Sequence, residues 1–289
     1  MAYLLFVTTA VAGRCAASEA GDPVCGNSAW LRYYSEARQV KSGPCADLLN
    51  LEAVAGEPVE LRFFVSQKRT GVPEDELQVQ HEKFMHVIGV REDLNGFFHL
   101  HPKKIAPGVW VVSHTFAEGG NYKIWADIAT RGATFTLAQP LLKVKGPPHA
   151  APKAISWEDQ VQVAGLEVAL KHNQTLMAGD SNEFVFTIRD ESGRLIQTED
   201  FLGAPMHMVV IKANLSGYRH SHPEPLVRGE TEVRFRQILE EVGTYKIFAQ
   251  FRPAGCGLPR DEALLASFDV KTIEPKNDQV VKAVKTGGQ

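Results

Sequence analysis

Six of the ten histidines in the chain recur at a fixed spacing. In each of two stretches, a first histidine is followed 13 and 15 residues later by two more, giving His86, His99 and His101 in the first stretch and His207, His220 and His222 in the second. Three neutral imidazoles can bind Zn²⁺ and leave a fourth coordination position open. Imidazole also suits copper. The spacing therefore predicts a three-histidine metal site in each stretch, for copper or alternatively for zinc.

A β-hairpin is the element that would bring each set of histidines together. Turn-forming residues lie midway through both stretches, at 93–96 (DLNG) and 214–217 (NLSG). A hairpin closed at the first turn places His86 opposite His101 and His99 two residues along the strand. Residues two apart in a strand share a face, and directly opposed residues have Cβ atoms about 4.5–5.5 Å apart. Each stretch is thus expected to present three imidazoles on one face of a hairpin.

The two histidine stretches belong to a longer internal repeat. Three blocks recur in the same order at an offset of 121 to 123 residues, and the matched pairs are 55–65 with 178–188, 85–102 with 206–223, and 119–127 with 241–250. Matching blocks in the same order at a nearly constant offset indicate a tandem duplication. The two copies are not independent evidence for a site, because duplication alone preserves residues.

Short apolar runs rich in Val, Ile, Phe and Tyr, separated by Gly, Asn and Asp, fill both copies. Such runs, in copies of about 100 residues, are typical of β-sandwiches. The predicted fold is all-β, with two tandem immunoglobulin-like or cupredoxin-like antiparallel β-sandwiches. The predicted divisions are a signal peptide (1–17), a Cys-containing segment (18–50), repeat 1 (51–146), a Pro-rich linker (147–163), repeat 2 (164–271) and a disordered tail (272–289).

Composition and charge narrow the classes of partner. The chain has 289 residues, 44% of them hydrophobic, and a formal net charge of −3. A chain without net positive charge is poorly suited to the phosphate backbone, so no nucleic-acid partner is expected. The longest apolar run, residues 2–13, is too short to span a bilayer. Because this run ends in small residues, we interpret it as a signal peptide and predict a secreted or periplasmic protein.

Cysteine use agrees with export. Cys25 and Cys45 lie in a polar segment with little core of its own, where a disulfide would be useful. An odd third cysteine, Cys256, would remain after signal cleavage. It follows the strand predicted to end near Phe251, at the same end of the sandwich as the second histidine cluster.

Sulfur atoms near the histidines bear on the choice of metal. We predict Cys256 as a soft fourth ligand that favours copper in the second site, whereas the equivalent residue of the first copy is Ala133. The alternatives for Cys256 are a buried thiol or a disulfide with an earlier cysteine. Met85 and Met206 alternate with the histidines and are therefore expected in the core.

Three segments of the second copy carry a resemblance to a known group of domains. They are Phe201-Leu202-Gly203-Ala204 followed by His207, then His220-Ser221-His222-Pro223, and Gly243-Thr244-Tyr245-Lys246-Ile247-Phe248. They resemble uncharacterised exported bacterial domains with a His-x-His-Pro segment, whose members are often found in heavy-metal or copper contexts. The resemblance covers about residues 200–252, and it implies a periplasmic metal-handling role. The first copy matches in its histidines but lacks the Leu-Gly-Ala segment.

Three functions remain open from the sequence. The leading hypothesis is an exported metal-binding carrier, chelator or sensor, with a metal ion as ligand and a protein partner for metal transfer. The second is a structural or interaction module in which the histidines only pack. The third is a mononuclear metalloenzyme, for which Glu82, Asp127 and Glu224 are the nearest acidic candidates. No catalytic or cofactor-binding residue is predicted, because no recognisable acid–base spacing accompanies the histidines.

Overall fold

The computed structural model describes residues 43–131, 133–147, 155–225 and 230–275, and it divides the chain into two compact units. Unit 1 comprises Met1–Ala151 and unit 2 comprises Pro152–Gln289. The regular elements of the described residues are all β-strands, which confirms the predicted all-β fold. Among these residues there is no helix long and apolar enough to cross a membrane. The predicted signal peptide, Cys25, residues 148–154 of the predicted linker and most of the predicted tail lie outside the described residues.

Unit 1 is a sandwich of two mainly antiparallel sheets. Its strands are β1 (Pro44–Leu48), β2 (Glu52–Val54), β3 (Pro58–Gln67), β4 (Met85–Arg91), β5 (Phe98–Leu100), β6 (Lys103–Ala106), β7 (Val109–Thr115), β8 (Gly120–Thr130), β9 (Ala133–Ala138) and β10 (Leu142–Lys145). One sheet has the order β1-β3-β7-β6, and the other has β2-β10-β8-β4-β5 with β9 also paired to β8. The β2–β10 pair is parallel.

Unit 2 repeats this arrangement. Its strands are β11 (Gln160–Val163), β12 (Leu166–His172), β13 (Leu176–Met177), β14 (Ser181–Arg189), β15 (Thr198–Glu199), β16 (Met206–Lys212), β17 (Tyr218–Ser221), β18 (Glu232–Ile238), β19 (Gly243–Pro253) and β20 (Leu264–Ile273). The sheet orders are β11-β12-β14-β18 and β13-β20-β19-β16-β17, with β15 also paired to β19. The pairs β4 and β16, β5 and β17, and β8 and β19 occupy equivalent places. The fold of two tandem immunoglobulin-like sandwiches is thus the predicted one.

The strands reach beyond the ranges assigned to the repeats. β1 pairs with β3 although it precedes residue 51, and β11 pairs with β12 from within the predicted linker. β20 continues through Thr272 and Ile273, where the sequence predicted the start of a tail. Each of these strands adds ladder hydrogen bonds to a sheet that the repeat alone would leave shorter.

Alternating apolar residues build a separate core in each unit. In unit 1 the inward residues of β3 (Leu61, Phe63 and Val65) pack with Met85 of β4 and Ile124 of β8. Fully burying one such side chain stabilises a fold by about 1.5–3 kcal/mol. In unit 2 the equivalent inward residues include Phe184, Phe186, Met206, Met208 and Ile247. Met85 and Met206 are both in the core, as the alternation predicted.

A tyrosine corner fixes the strand that crosses the centre of each unit. The Tyr122 hydroxyl donates to the Glu118 carbonyl at 3.0 Å, and the Tyr245 hydroxyl donates to the Glu241 carbonyl at 2.7 Å. A tyrosine bonded to the backbone a few residues upstream is a hallmark of immunoglobulin-like sandwiches. Burial, which removes water from the phenolate form, raises the pKa of Tyr245 to about 12. Burial also raises the pKa of Tyr122, so both hydroxyls stay protonated donors at neutral pH.

Candidate metal site

The predicted hairpins hold both sets of histidines. In unit 1 the β4–β5 register pairs Ile88 with His99, so that His86 lies opposite His101, which immediately follows β5. In unit 2 the β16–β17 register pairs Val209 with His220, which places His207 opposite His222. The pairing of the first and third histidines in each hairpin is the one predicted from the 13- and 15-residue spacing.

Three ring nitrogens converge in unit 2. His207 Nδ1 lies 3.3 Å from His220 Nε2 and 3.0 Å from His222 Nε2. The ligand atoms of these three residues all lie within 4.8 Å of one another. His207 is fully buried, whereas His220 and His222 are half-buried. The cluster therefore has one inner histidine fixed in the fold and two outer ones nearer the surface.

The histidines of unit 1 make an equivalent cluster. His86 Nδ1 lies 3.0 Å from His99 Nε2, which lies 3.2 Å from His101 Nε2. The His86 and His101 ring centroids are 4.9 Å apart, with the rings nearly perpendicular. His86 is 3% exposed, like its counterpart His207, and is the inner member. The same atoms thus face one another in both units: Nδ1 of the inner histidine and Nε2 of the two outer ones.

A backbone carbonyl sets the tautomer of each inner histidine. His86 Nε2 lies 2.9 Å from the Gln80 carbonyl oxygen, and His207 Nε2 lies 2.7 Å from the Phe201 carbonyl oxygen. Because a carbonyl only accepts hydrogen bonds, Nε2 must carry the proton, and the lone pair of the neutral ring then sits on Nδ1. A metal-binding histidine typically donates its other ring N–H to a carbonyl or carboxylate in this way. In both units the lone pair therefore points into the cluster.

The two carbonyls belong to equivalent tight turns before β4 and β16. Gln80 and Lys83 exchange backbone hydrogen bonds across one turn, and Phe201 and Ala204 do so across the other. The central residues have positive φ in both: 46° and 66° at 81 and 82, and 53° and 74° at 202 and 203. The first copy lacks the Leu-Gly-Ala segment, and it forms the same turn with His81 and Glu82 at the positive-φ positions.

The nitrogen separations suit a small metal ion. Tetrahedral bonds of 2.0–2.1 Å to imidazole nitrogens place neighbouring donors about 3.3–3.4 Å apart. The separations of 3.0–3.3 Å in the two clusters lie just below that value. Small outward movements of the half-buried outer rings would open each cluster to the required size. The donor set also leaves a fourth position for water, a soft ligand or a transfer partner.

The strand next to each inner histidine differs between the units. The β4–β8 register places Asp127 opposite His86, and the β16–β19 register places Gln250 opposite His207. Asp127 is 7% exposed and accepts a hydrogen bond from the Thr136 hydroxyl at 2.7 Å. From the sequence, Asp127 is only an acidic candidate, and Gln250 has no predicted role. The alignment of the two copies could have identified Gln250, because the matched blocks at 119–127 and 241–250 pair it with Asp127.

The remaining candidate residues lie elsewhere. Cys256 is exposed and free, and it is not part of the ligand group that joins His207, His220 and His222 in the described residues. The buried-thiol and disulfide alternatives for Cys256 are therefore wrong, and its ligation of the metal stays a prediction. Cys45 is buried and disulfide-bonded. Cys25, the other cysteine of the predicted pair, lies outside the described residues.

Two further histidines take packing or edge positions. The ring of His114 packs against Phe98 and Phe116, and burial lowers the pKa of this imidazole, which favours its neutral form. His81 is exposed, and its ring centroid lies 6.3 Å from that of His86. The His81 ring thus lies beside the inner histidine of the first cluster.

Comparison with known proteins identifies the repeat. A family model described as a domain of unknown function (DUF8832) matches residues 45–145 and again residues 161–260. Each match contains one of the histidine clusters. No curated protein matches the chain.

Solved structures with a similar fold are distant. A copper-bound variant of FetP from uropathogenic Escherichia coli strain F11 is 14% identical, covers 42% of this chain and 98% of its own, and has a TM-score of 0.28. A titin tandem of Ig domains is 11% identical, covers 81% of this chain and 97% of its own, and has a TM-score of 0.22. Trypsin-activated alpha-2-macroglobulin from Escherichia coli is 8% identical, covers 80% and 16%, and has a TM-score of 0.24. None of these similarities assigns a function to this chain.

Proposed function

This chain belongs to the DUF8832 family, whose domain it contains twice, and we propose that each domain is a metal-binding module of an exported copper carrier or chelator. The ligands are His86, His99 and His101 in unit 1 and His207, His220 and His222 in unit 2. The ion is copper, with zinc as the alternative. A protein partner would receive the metal by entering at the fourth coordination position.

One observation carries this proposal: the orientation of the inner histidine. Both inner rings donate Nε2–H to a backbone carbonyl and direct the Nδ1 lone pair into a cluster that contains two Nε2 atoms. A histidine that served only packing would need the hydrogen bond to the carbonyl, but it would not need a lone pair directed towards other ring nitrogens. The arrangement instead provides one oriented donor and two more within bonding reach of the same ion.

The half-buried state of the outer histidines supports a carrier. His220 and His222 belong to the short strand β17 and the residue that follows it, where rings can move without disturbing the core. A metal that must be passed on needs ligands that can exchange. The inner histidine is held rigidly, so it would keep the ion bound at the site while the outer ligands exchange.

Export is supported by two features. The apolar run at residues 2–13 followed by small residues is typical of a signal peptide. The disulfide at Cys45 fits an oxidising compartment, since structural disulfides are rare in reducing ones. We therefore propose that the protein works in the periplasm or outside the cell.

A double substitution in unit 2 tests the proposal. His220→Ala with His222→Ala removes both outer ligands, which lie at a hairpin mouth and contribute little to the core. We expect calorimetric titration with Cu(I), Cu(II) and Zn(II) to show one binding site fewer than in the parent, with an unchanged far-ultraviolet spectrum. His172→Ala is the matched control, because His172 is an exposed strand histidine remote in sequence from both clusters. Unchanged titrations in the double variant would refute metal binding by this cluster.

The second candidate is a tandem structural module, with which the ring separations are also compatible. Nitrogen atoms 3.0–3.3 Å apart also suit N–H···N hydrogen bonds between neutral imidazoles. A purely structural network predicts that the parent binds no metal and melts at the same temperature with and without a chelator. Melting curves in the presence of each metal therefore separate the two functions, because a ligand that binds only the folded state raises the melting temperature.

A further inference from the structure

The residue opposite the inner histidine differs in charge between the two sites, and its charge would act on a bound ion. Residues directly opposed in an antiparallel pair lie on the same face with Cβ atoms about 4.5–5.5 Å apart. Asp127 therefore shares a face with His86, and Gln250 shares a face with His207. Unit 1 has a carboxyl group where unit 2 has an uncharged amide on a side chain that is one methylene longer.

The surroundings hold the Asp127 carboxylate in place. Asp127 is buried, and β9 places Thr136 opposite it, so that the Thr136 hydroxyl donates to Asp127 Oδ1. In unit 2 the residue opposite Gln250 is Leu265, which offers no side-chain hydrogen bond. The hydrogen bond from Thr136 therefore orients the Asp127 carboxylate, which lies on the face that carries the cluster of unit 1.

A carboxylate beside the cluster would discriminate between ions of different charge. A carboxylate attracts a divalent ion twice as strongly as a monovalent one at the same distance, and burial weakens the screening by water. Three neutral imidazoles add no charge. A divalent ion beside the Asp127 carboxylate leaves a net charge of about +1 in the cluster of unit 1. A cuprous ion beside the neutral Gln250 amide leaves the same net charge in the cluster of unit 2.

We propose, on the basis of the metal-binding function above, that the two units are selective for different ions. The cluster of unit 1 with Asp127 takes a divalent ion, Cu(II) or Zn(II). The cluster of unit 2 with Gln250 takes Cu(I). One chain thereby handles both oxidation states of copper, with each unit tuned by the residue opposite its inner histidine.

Each unit can be tested alone within the full chain. In a background carrying His220→Ala and His222→Ala, which leaves only the cluster of unit 1, Asp127→Asn should weaken Zn(II) binding by about tenfold or more, as substitutions next to metal ligands commonly do. Its Cu(I) affinity, measured anaerobically by competition with a chelator, should change much less. Glu57→Gln is the control, because it makes the same change of charge at an exposed turn position.

The reciprocal variant gives an independent test. In a background carrying His99→Ala and His101→Ala, Gln250→Glu should raise the Zn(II) affinity of unit 2 relative to its Cu(I) affinity. This gain decides the matter even where Asp127→Asn folds poorly. Equal shifts for Zn(II) and Cu(I) in these variants would overturn the selectivity while leaving metal binding intact. Absence of any binding in the two backgrounds would instead overturn the proposed function itself.

Discussion

At the scale of single residues, the inner histidine differs from the outer ones because it has both a structural role and a ligand role. His207 is fully buried and is bonded to the Phe201 carbonyl, whereas His222 is half-buried. Its imidazole therefore holds together the turn before β16 and the hairpin as well as directing a lone pair at the metal. His86 has the same place in unit 1 through the Gln80 carbonyl.

This division of roles predicts unequal effects on stability. His207→Ala leaves the buried Phe201 carbonyl without this donor, which typically costs about 1–3 kcal/mol, and opens a cavity. His222→Ala should cost well under half as much, while both variants lose metal affinity in unit 2. Urea unfolding of the metal-free proteins measures the difference. Equal destabilisation by the two substitutions would show that the inner histidine has no special structural role.

At the scale of elements, the hairpin could be derived from the sequence and the turn before it could not. Turn residues, the 13- and 15-residue spacing and the two-residue period of strands together set the register that pairs His86 with His101. The Gln80 and Phe201 carbonyls have no sequence signature, because any residue supplies a carbonyl. In unit 1 the turn also lacks glycine, so that tertiary packing must hold His81 and Glu82 at positive φ.

The partners opposite the inner histidines were hidden for a different reason. The β4–β8 pairing that brings Asp127 to His86 joins segments about 40 residues apart, and its register is set by packing rather than by a local turn. Only the alignment of the two copies relates Asp127 to Gln250. Residues joined by a hairpin were thus predictable, and residues joined across the sheet were not.

A close approach inside the first hairpin gives a prediction at this scale. The Phe98 ring packs directly over Gly89, and a Cβ at Gly89 would come within 2.3 Å of the ring. Phe98 is itself packed against Phe116 and Tyr122, so the ring cannot simply withdraw. Gly89→Ala should therefore cost about 1–3 kcal/mol and weaken metal binding by unit 1, since β5 carries His99.

A double-mutant cycle checks the cause of that loss. Phe98→Leu removes part of the ring, so the pair Gly89→Ala with Phe98→Leu should destabilise the protein by less than the sum of the single variants. Chemical unfolding of the four proteins supplies the cycle. Strictly additive effects would mean that contact with Phe98 is not what keeps residue 89 small.

At the scale of the whole chain, the two units share a fold but differ in their charged groups. Asp93 in the hairpin turn of unit 1 makes a two-pronged ion pair with Arg91, through Nε and Nη2 at 2.9 Å each. Burial disfavours ionisation of Asp93, but hydrogen bonds from Arg91 and Asn95 outweigh it and lower the pKa to about 2. The equivalent residue of unit 2 is Asn214, which cannot ionise.

The ion pair in this turn is therefore expected to make the stability of unit 1 more sensitive to acid than that of unit 2. Because the folded-state pKa lies below the ordinary value of 3.8, the ion pair stabilises unit 1 above about pH 4, and that contribution is lost as the pH falls towards 2. Asp93→Asn should remove this part of the pH dependence. Fluorescence reports it, since the buried Trp110 and Trp125 belong to unit 1, whereas Trp157 of unit 2 is exposed. An acid transition unchanged by Asp93→Asn would contradict the assignment.

The number of metal ions bound per chain tests the central claim most directly. The full-length protein, equilibrated anaerobically with Cu(I) and Zn(II) together and freed of unbound metal, should contain two ions per chain by elemental analysis. Each pair of outer-histidine substitutions, at 99 and 101 or at 220 and 222, should remove one ion. The variant with all four substitutions should contain none while keeping its β-sheet spectrum. Two ions retained by that fourfold variant, or none in the parent, would contradict the account.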